Sequence, residues 1–339
     1  MPELRIDPLS GHRTIVAGER SRRPGGEPRS VPAAPIDRDG DPFAEGHEDR
    51  TPPELYALRE NGSVPNSPGW QVRVVPNLYP ALSPPGADGD PGPGAASEEP
   101  RGRGGTPQEL FVSLPATGAH EVIVNGPQPV TSLAELPREQ VVAAVETWRQ
   151  RMCAHEQSAY VQLIVNERVE AGASLPHTHA QLYALDFVPG DVARERERAG
   201  AYTTRTMGSS LLGDLVAEEV RRGERVVAID EEAVLIAPWA SRLPFQLMLA
   251  PRRPRPRFEQ GGPSGASLLH DGLCRLARHL GSSPPLNMWV RTAPRGAEDF
   301  CWRIDVLPRL THLAGLELST GLNLNIVSPE QAAAALREA

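Results

Sequence analysis

A short segment near the middle of the chain places two histidines and a glutamine at alternate positions. His177, His179 and Gln181 are each separated by one residue, and alternate side chains of an extended strand point to the same face. Thr178 and Ala180 then face the other side. A neutral imidazole is a nucleophile or a metal ligand near pH 7, and an amide can hydrogen-bond a phosphate oxygen. The one-sided row therefore suits phosphate chemistry or metal binding better than a place in an apolar core.

The same pattern also occurs on exposed strands whose histidines are only solvated, so the flanking residues matter. Asn166 lies upstream, and Gly172 and Ser174 lead into the pair within a stretch of small residues. Small residues let a ligand approach the backbone closely. The flanks favour a functional role for the histidine pair.

Residues 172–184 resemble the active-site stretch of galactose-1-phosphate uridylyltransferases, a family of the histidine-triad superfamily. Further blocks in the same order are similar to this family and cover most of the chain; they lie at 2–11, 17–24, 72–81, 120–136 and 307–321. The block at 72–81 reads Val-Arg-Val-Val-Pro-Asn-Leu-Tyr-Pro-Ala. The resemblance implies an α+β fold of two tandem histidine-triad-like modules, each an antiparallel sheet with packed helices.

The resemblance also implies roles for individual residues. His179 matches the family's nucleophile, which forms a covalent nucleotidyl-histidine, and Gln181 matches a residue that hydrogen-bonds the same phosphate. A glutamine cannot act as a general acid, whereas hydrolases of the superfamily carry a third histidine there. This favours an intermediate that waits for a sugar phosphate. The residues expected to bind the substrate are Arg20, Arg23, Asn77, Asn166, Gly172 and Ser174.

Simpler explanations stay open for some of these residues. Arg20 and Arg23 also fit a solvated basic turn, and Asn77 also fits a cap on the turn before Pro80. We expect His177 to stabilise the nucleophile strand by hydrogen bonding. The remaining histidines, among them His120, form no pattern that assigns them a role.

The family resemblance further implies two metal sites, but most of their ligand positions are substituted. The structural zinc of the family uses a Cys-Pro-Phe-Cys segment, a later histidine and the first histidine of the active-site pair. The corresponding residues here are Asp41-Pro42-Phe43-Ala44, Pro129 and His177. Zinc prefers four ligands, mainly cysteine and histidine. We therefore assign no metal cofactor, with zinc as the open alternative.

The second metal of the family uses a carboxylate and three histidines. Glu195 matches the carboxylate, but the histidine positions hold Arg291, Cys301 and Arg303. Because arginine repels a cation, this site is expected to be lost, leaving His177, Asp41 and Glu195 as remnants of the two metal centres. The sequence predicts instead that Arg291 and Arg303 pair with Glu195, Asp299 or Asp305.

Composition limits the class of protein. The 339 residues carry a net charge of −8, which argues against a general nucleic-acid surface. The three cysteines are scattered and odd in number, so no disulfide framework is expected. An apolar run long enough for a membrane span is lacking. These features predict a soluble, cytoplasmic protein, and the family resemblance implies a homodimer.

Periodicity predicts the same order of elements in both halves of the chain. Predicted strands are 14–17, 70–75, 121–125, 161–165, 179–187, 225–229, 233–238, 245–251, 286–292 and 300–307, and predicted helices are 137–157, 190–199, 210–222, 264–280 and 331–338. With the halves superposed, residues 301–305 fall on residues 177–181. We infer a duplication with a working module at 1–190 and a degenerate one at 191–339. Residues 83–107 are low in complexity and predict a flexible insertion.

The sequence supports three functions. The leading one is a nucleotidyltransferase that moves a nucleoside monophosphate between a nucleotide sugar and a sugar 1-phosphate, as UDP-glucose–hexose-1-phosphate uridylyltransferases do. The second is a phosphorylase or hydrolase of a nucleotide sugar with another base, such as an adenylyl donor. The third is a non-catalytic nucleotide-binding protein with a decayed site, which the substituted metal ligands favour.

Overall fold

A computed structural model of the protein describes residues 2–18, 28–59, 62–84, 110–261 and 264–339. Within these ranges the helices are α1 (Arg138–Ala154), α2 (Gly190–Thr206), α3 (Leu211–Arg222), α4 (Ala266–Leu280), α5 (Gly315–Thr320) and α6 (Pro329–Glu338). The strands of the first half are β1 (Glu3–Ile6), β2 (Arg13–Val16), β3 (Tyr56–Arg59), β4 (Trp70–Pro76), β5 (Gly118–Val124), β6 (Tyr160–Glu167) and β7 (His179–Leu185). Those of the second half are β8 (Val226–Ile229), β9 (Ala233–Ile236), β10 (Leu247–Pro251), β11 (Leu286–Arg291), β12 (Arg303–Pro308) and β13 (Asn323–Asn325).

Ten strands form one sheet in the order β3-β4-β5-β7-β6-β11-β12-β10-β9-β8, and each of its neighbouring pairs is antiparallel. The two five-stranded halves have the same topology, since each runs three strands, a helix and two further strands. They join edge to edge where Ile164 of β6 lies opposite Trp289 of β11. The α+β fold with antiparallel sheets is confirmed, and the sheets of the two halves are continuous. The repeated topology supports the inferred duplication.

The two faces of this sheet have different environments. One face packs against α1 and α4, and its inward residues include Leu182 of β7 and Ile304 of β12, both fully buried. Helix α1 fits this layer because Val145, Trp148 and Met152 recur at helical spacing and are fully buried. The opposite face is more polar and carries the alternate residues of β7, which include His179 and Gln181.

Local sequence signals set several element ends. Helix α3 follows Ser210, whose hydroxyl accepts a hydrogen bond from the Gly213 N–H, and it ends at Gly223 with a φ of 71°. A serine cap satisfies an otherwise unpaired donor, and glycine adopts the left-handed conformation without steric cost. Each predicted helix and strand is confirmed within a few residues at its ends, except that α2 continues to Thr206 instead of ending near 199.

The sequence predicted β2 as 14–17 but missed the strands β1, β3 and β13 and the short helix α5. Strands β1, β2 and β13 form a separate small sheet, in which β13 joins β2 in parallel from the far end of the chain. This sheet holds the N-terminal residues against the second half of the chain. Leu9 packs in a cluster with Leu212 and Val216, and Arg5 donates to the Trp239 carbonyl.

Residues 85–107 of the predicted insertion lie outside the described residues, and Ser83 at its start forms a bridge with Thr117.

All three cysteines are free thiols. None of the helices in the described ranges is both long and apolar enough to cross a bilayer.

Candidate functional site

The ring of His179 is buried and held in one orientation by the backbone. It opens β7, is 4% exposed, and its Nδ1 lies 2.7 Å from the His177 carbonyl. A carbonyl only accepts, so Nδ1 carries the proton and the lone pair resides on Nε2. Burial lowers the pKa of His179 and the nearby His177 ring adds to this effect, although the hydrogen bond to the carbonyl opposes it. The residue is therefore neutral near pH 7, as a nitrogen nucleophile requires.

The ring of His177 precedes β7 and is enclosed between two oxygens. Its Nδ1 lies 2.7 Å from Oδ2 of Asp41 and its Nε2 lies 2.8 Å from the Gly126 carbonyl. Both partners accept hydrogen bonds, so both ring nitrogens donate and the imidazole is positively charged. Burial raises the pKa of Asp41, but hydrogen bonds from His177 and from the Phe43 N–H outweigh it and the pKa lies below its usual value.

These contacts do not fit the zinc site that the family resemblance implies. Both nitrogens of His177 are engaged, and Nδ1 of His47 lies 2.7 Å from the backbone carbonyl of Asp41. Among the described residues, no three or more histidine, cysteine or acidic side chains come together to hold a metal ion. Metal ligation needs a free imidazole lone pair. A buried imidazolium–carboxylate pair stands in this place.

The position of the second metal site holds a cluster of ion pairs. Nη2 of Arg303 lies 3.0 Å from Oε2 of Glu195, and Nε of Arg303 lies 2.9 Å from Oδ2 of Asp305. Nε of Arg291 lies 3.4 Å from Glu195. The predicted pairing of both arginines is confirmed. Burial lowers the pKa of Arg303, but Asp305 and Glu195 outweigh it and raise the pKa above its usual value. A permanent cation here does not fit a metal ion.

The amide of Gln181 is oriented by two donors that the sequence did not reveal. Its Oε1 lies 3.0 Å from the Tyr183 hydroxyl and 3.0 Å from Nε2 of His120. The Ala81 N–H donates to Nδ1 of His120, so Nε2 carries the proton and donates to Gln181. Burial lowers the pKa of His120, against the hydrogen bond to Gln181, and the ring is neutral. The NH₂ end of Gln181 is left to meet a ligand.

Asn77 adjoins this group and also caps a turn. Its Oδ1 accepts from the Tyr79 N–H at 2.8 Å. This confirms the alternative prediction that Asn77 caps the turn before Pro80. Its Nδ2 lies 3.1 Å from Nε2 of His120. Two N–H groups cannot hydrogen-bond each other, so the Asn77 NH₂ keeps its capacity to bind an acceptor.

Asn166 lies beside His179 on the same face of the sheet. The β6–β7 register pairs Ile164 with Gln181, and two residues further along it brings Asn166 next to His179. Oδ1 of Asn166 accepts from the side chain of Asn287 at 2.8 Å, and Asn287 also donates to the Ala171 carbonyl. Asn287 therefore turns the NH₂ end of Asn166 outward.

The remaining predicted ligands lie in loops. Gly172, with a φ of 89°, and Ser174 are exposed in the segment that leads into the histidine pair. Arg20 and Arg23 lie outside the described residues. The structure thus brings His179, Gln181, Asn166 and Asn77 to one part of the sheet.

Sequence reasoning missed three side chains near the histidines. His120 stacks on Tyr183 with ring centroids 4.0 Å apart, and Phe43 packs edge-on against His179 at 5.2 Å. Side chains alternate between the two faces along β5 and along β7. This alternation would have placed His120 and Gln181 on the same face had the sequence shown that the two strands pair. That pairing skips a helix and a strand along the chain.

Comparisons with known proteins match most of the chain. The family profile described as galactose-1-phosphate uridyl transferase, N-terminal domain, matches residues 2–189, and a domain of unknown function, DUF4921, matches residues 134–338. An ADP-glucose phosphorylase from Arabidopsis thaliana is 26% identical over 99% of this chain and 93% of its own length. A galactose-1-phosphate uridylyltransferase from Cryptococcus neoformans is 28% identical over 98% and 89%.

Solved structures show the same fold. The crystal structure of an ADP-glucose phosphorylase from Arabidopsis thaliana with bound ADP-glucose aligns with a TM-score of 0.78 at 25% identity, and the alignment covers 100% of this chain and 99% of that one. A solved uridylyltransferase aligns with a TM-score of 0.70 at 23% identity over 100% of this chain and 98% of that one.

Proposed function

The chain belongs to the galactose-1-phosphate uridylyltransferase family, and we propose that it moves a nucleoside monophosphate from a nucleotide sugar to a phosphate acceptor through His179. The observation that carries this proposal is the hydrogen bond from Nδ1 of His179 to the His177 carbonyl. It leaves the lone pair on Nε2, and burial keeps the ring neutral. A neutral, oriented imidazole is suited to attack phosphorus.

The reaction then has two balanced steps. Nε2 of His179 forms a bond to the α-phosphorus, the bond from that phosphorus to the bridging oxygen breaks, and sugar 1-phosphate leaves with the bonding electrons. In the second step an oxygen of the acceptor phosphate attacks the same phosphorus. The phosphorus–nitrogen bond breaks and the electron pair returns to Nε2.

Neighbouring amides would stabilise the charge on the transferred phosphate. The NH₂ ends of Gln181 and Asn166 are left outward because their oxygens are occupied by partners within the protein. Donors fixed before the substrate arrives stabilise developing charge without reorganisation. Gln181 has no proton to give to a leaving group, which favours transfer over hydrolysis. Asn77, Gly172 and Ser174 are proposed to bind the rest of the nucleotide sugar.

The leading acceptor is a sugar 1-phosphate, with a uridylyl group transferred to a hexose 1-phosphate. The second candidate is a phosphorylase that uses inorganic phosphate and an adenylyl donor. Similarity to the Arabidopsis ADP-glucose phosphorylase along 99% of the chain favours this candidate. A non-catalytic nucleotide-binding protein is the third, and the intact arrangement around His179 argues against it.

Intact-protein mass spectrometry tests the proposal directly. The wild type and His179→Ala are incubated separately with UDP-glucose and ADP-glucose. We expect one nucleotidyl group on the wild type only, since His179→Ala lacks the nucleophile. Arg253→Ala, an exposed substitution away from the histidines, is the matched control and keeps the adduct.

The donor and the discharging acceptor then separate the candidates. A uridylyl adduct that galactose 1-phosphate removes supports the uridylyltransferase. An adenylyl adduct that inorganic phosphate removes, with release of ADP, supports the phosphorylase. Nucleotide binding without any adduct would contradict both and favour the non-catalytic candidate.

We also propose that the protein is a cytoplasmic homodimer, as the family resemblance implies. Light scattering on the purified chain is expected to give twice the mass of one chain, and a monomer mass at micromolar concentration contradicts the dimer. Cell fractionation tests the location, which is wrong if the protein is recovered outside the soluble fraction.

A further inference from the structure

The second half of the sheet carries a cavity of about 370 Å³ on the same face as His179. It lies over the strands that correspond to those of the histidine site, because Arg303 opens β12 as His179 opens β7. Its walls combine two indoles with cationic and amide side chains, namely Trp239, Trp289, Arg194, Arg242, Arg291 and Gln162. A volume of this size is in the range of small-molecule sites, roughly 300–1,000 Å³.

The cavity begins beside the histidine strand and extends away from it. Its near wall includes Ile164 of β6, which lies opposite Gln181, and its far wall includes Arg303. The strand register places His179 level with Asn166 and Asn287, whereas Arg303 is level with Arg291. His179 on β7 and Arg303 on β12 are separated by three strand-to-strand spacings across the sheet and by about four residues along the strand direction. The distance between them is therefore on the order of 20 Å.

The carboxylates that line this cavity already have partners. Glu195 and Asp305 share Arg303. Asp7 accepts from backbone N–H groups of its own turn. Asp191, in the first turn of α2, pairs with Arg194. The acidic groups are therefore not available to a ligand.

Hydrogen-bond donors in the same walls lack acceptors. Nε1 of Trp289 and Nε of Arg291 are buried and have no hydrogen-bond partner; Arg291 lies at an ion-pair distance from Glu195, but not in hydrogen-bonding geometry. The guanidinium of Arg242 lies 5.6 Å from the centre of the Trp289 ring, and no carboxylate pairs with it in the part of the chain that the structure describes. Unpaired buried donors are costly, so a ligand rich in acceptors stabilises them.

We infer that this cavity binds a phosphate monoester of the size of a sugar phosphate. The phosphate supplies several acceptor oxygens and a negative charge for Arg242, Arg291 and the Trp289 N–H. Arginine is suited to phosphate because its planar fork donates two hydrogen bonds. The apolar faces of a sugar ring pack on the indole. Gln246, whose Oε1 accepts from the Arg242 N–H, offers its NH₂ end to the hydroxyls.

Isothermal titration of the full chain with glucose 6-phosphate and with inorganic phosphate tests this site. Trp289→Phe keeps an aromatic ring and removes the N–H donor, and Arg242→Ala removes the cation. Each is expected to weaken binding by at least about tenfold. Arg253→Ala and the histidine-site variant Gln181→Ala are controls that keep the wild-type affinity. Melting temperatures confirm that the variants are folded.

The outcomes separate this inference from the proposed function. Binding that Arg242→Ala and Trp289→Phe weaken, with nucleotidyl-His179 formation unchanged in both, supports a second site. If glucose 6-phosphate binds more strongly than inorganic phosphate, the cavity recognises the sugar ring as well as the phosphate. If the two bind equally, the ligand is free phosphate. The inference is overturned if the wild type binds neither probe, if sulfate and acetate bind equally well, or if only Gln181→Ala weakens binding.

Discussion

The carboxylate of Asp41 lies 2.7 Å from Nδ1 of His177, and both side chains are almost completely buried. These residues are more than 130 positions apart in the chain. The pair fixes His177, whose carbonyl in turn orients the His179 ring. One ion pair therefore determines the geometry of the proposed nucleophile without touching it.

Asp41→Asn is expected to destabilise the protein by about 3–5 kcal/mol, because it leaves the buried imidazolium of His177 without a counter-ion. Chemical denaturation measures the free energy of unfolding. Glu218→Gln removes a carboxylate from a solvent-exposed pair and is the control, with a much smaller expected change because exposed ion pairs contribute little. An equally small change for both variants would show that His177 is neutral and that the pair is not ionic.

Metal removal is expected to leave stability and adduct formation unchanged. Both nitrogens of His177 are occupied, so neither is available to zinc. The measurement is the melting temperature and the yield of nucleotidyl-His179 before and after treatment with a chelator, followed by added zinc. A chelator-dependent loss that zinc restores would contradict the buried ion pair.

Arg303→Ala is expected to cost about 3–5 kcal/mol of stability, because Glu195 and Asp305 lose their shared cation in a buried setting. The double variant Arg303→Met with Glu195→Gln removes charge of both signs and should recover part of this loss. Urea denaturation compares the variants. An unchanged midpoint in Arg303→Ala contradicts the structural role of the ion-pair cluster.

His120→Ala is expected to slow formation of the nucleotidyl adduct by about tenfold to a hundredfold, because Gln181 loses a donor that orients its amide. Tyr183→Phe removes the other donor and leaves the ring that stacks on His120, so a smaller effect is expected. Rapid-quench kinetics with mass detection give the rates. If His120→Ala melts earlier but forms the adduct at the wild-type rate, His120 is only structural.

Glu167 should make stability depend on pH near neutrality. Burial raises its pKa to about 7, which exceeds the opposing effect of its hydrogen bonds. Because the folded-state pKa lies above the unfolded value, the stabilising contribution is present below the unfolded pKa and is lost as pH rises through about 7. The loss is on the order of 3 kcal/mol.

Glu167→Gln tests this dependence because it mimics the protonated acid at every pH. The wild type should melt progressively earlier than Glu167→Gln between about pH 5 and pH 8. Glu135→Gln, at an exposed neighbour, is the control. Parallel melting curves for the wild type and Glu167→Gln across this range would mean that the Glu167 pKa is not raised.

The sequence by itself determined the parts of the protein that depend on local periodicity. Alternation over 179–187 predicted β7 and placed His179 and Gln181 on one face. Helical spacing of apolar residues predicted α1 and α4. The repeated order of elements predicted two similar halves. The family resemblance, with arginine at two of the metal-ligand positions, added the prediction that Arg291 and Arg303 pair with Glu195, Asp299 or Asp305.

Only the tertiary structure decided which distant side chains complete the candidate site. His120 reaches Gln181 because β5 pairs with β7, and Asn287 reaches Asn166 because the two halves join through β6 and β11. Asp41 comes from a segment without regular structure. Strand pairing between distant segments depends on the packing of the whole sheet and leaves no periodic signal in either strand, so these contacts could not be read from the chain alone.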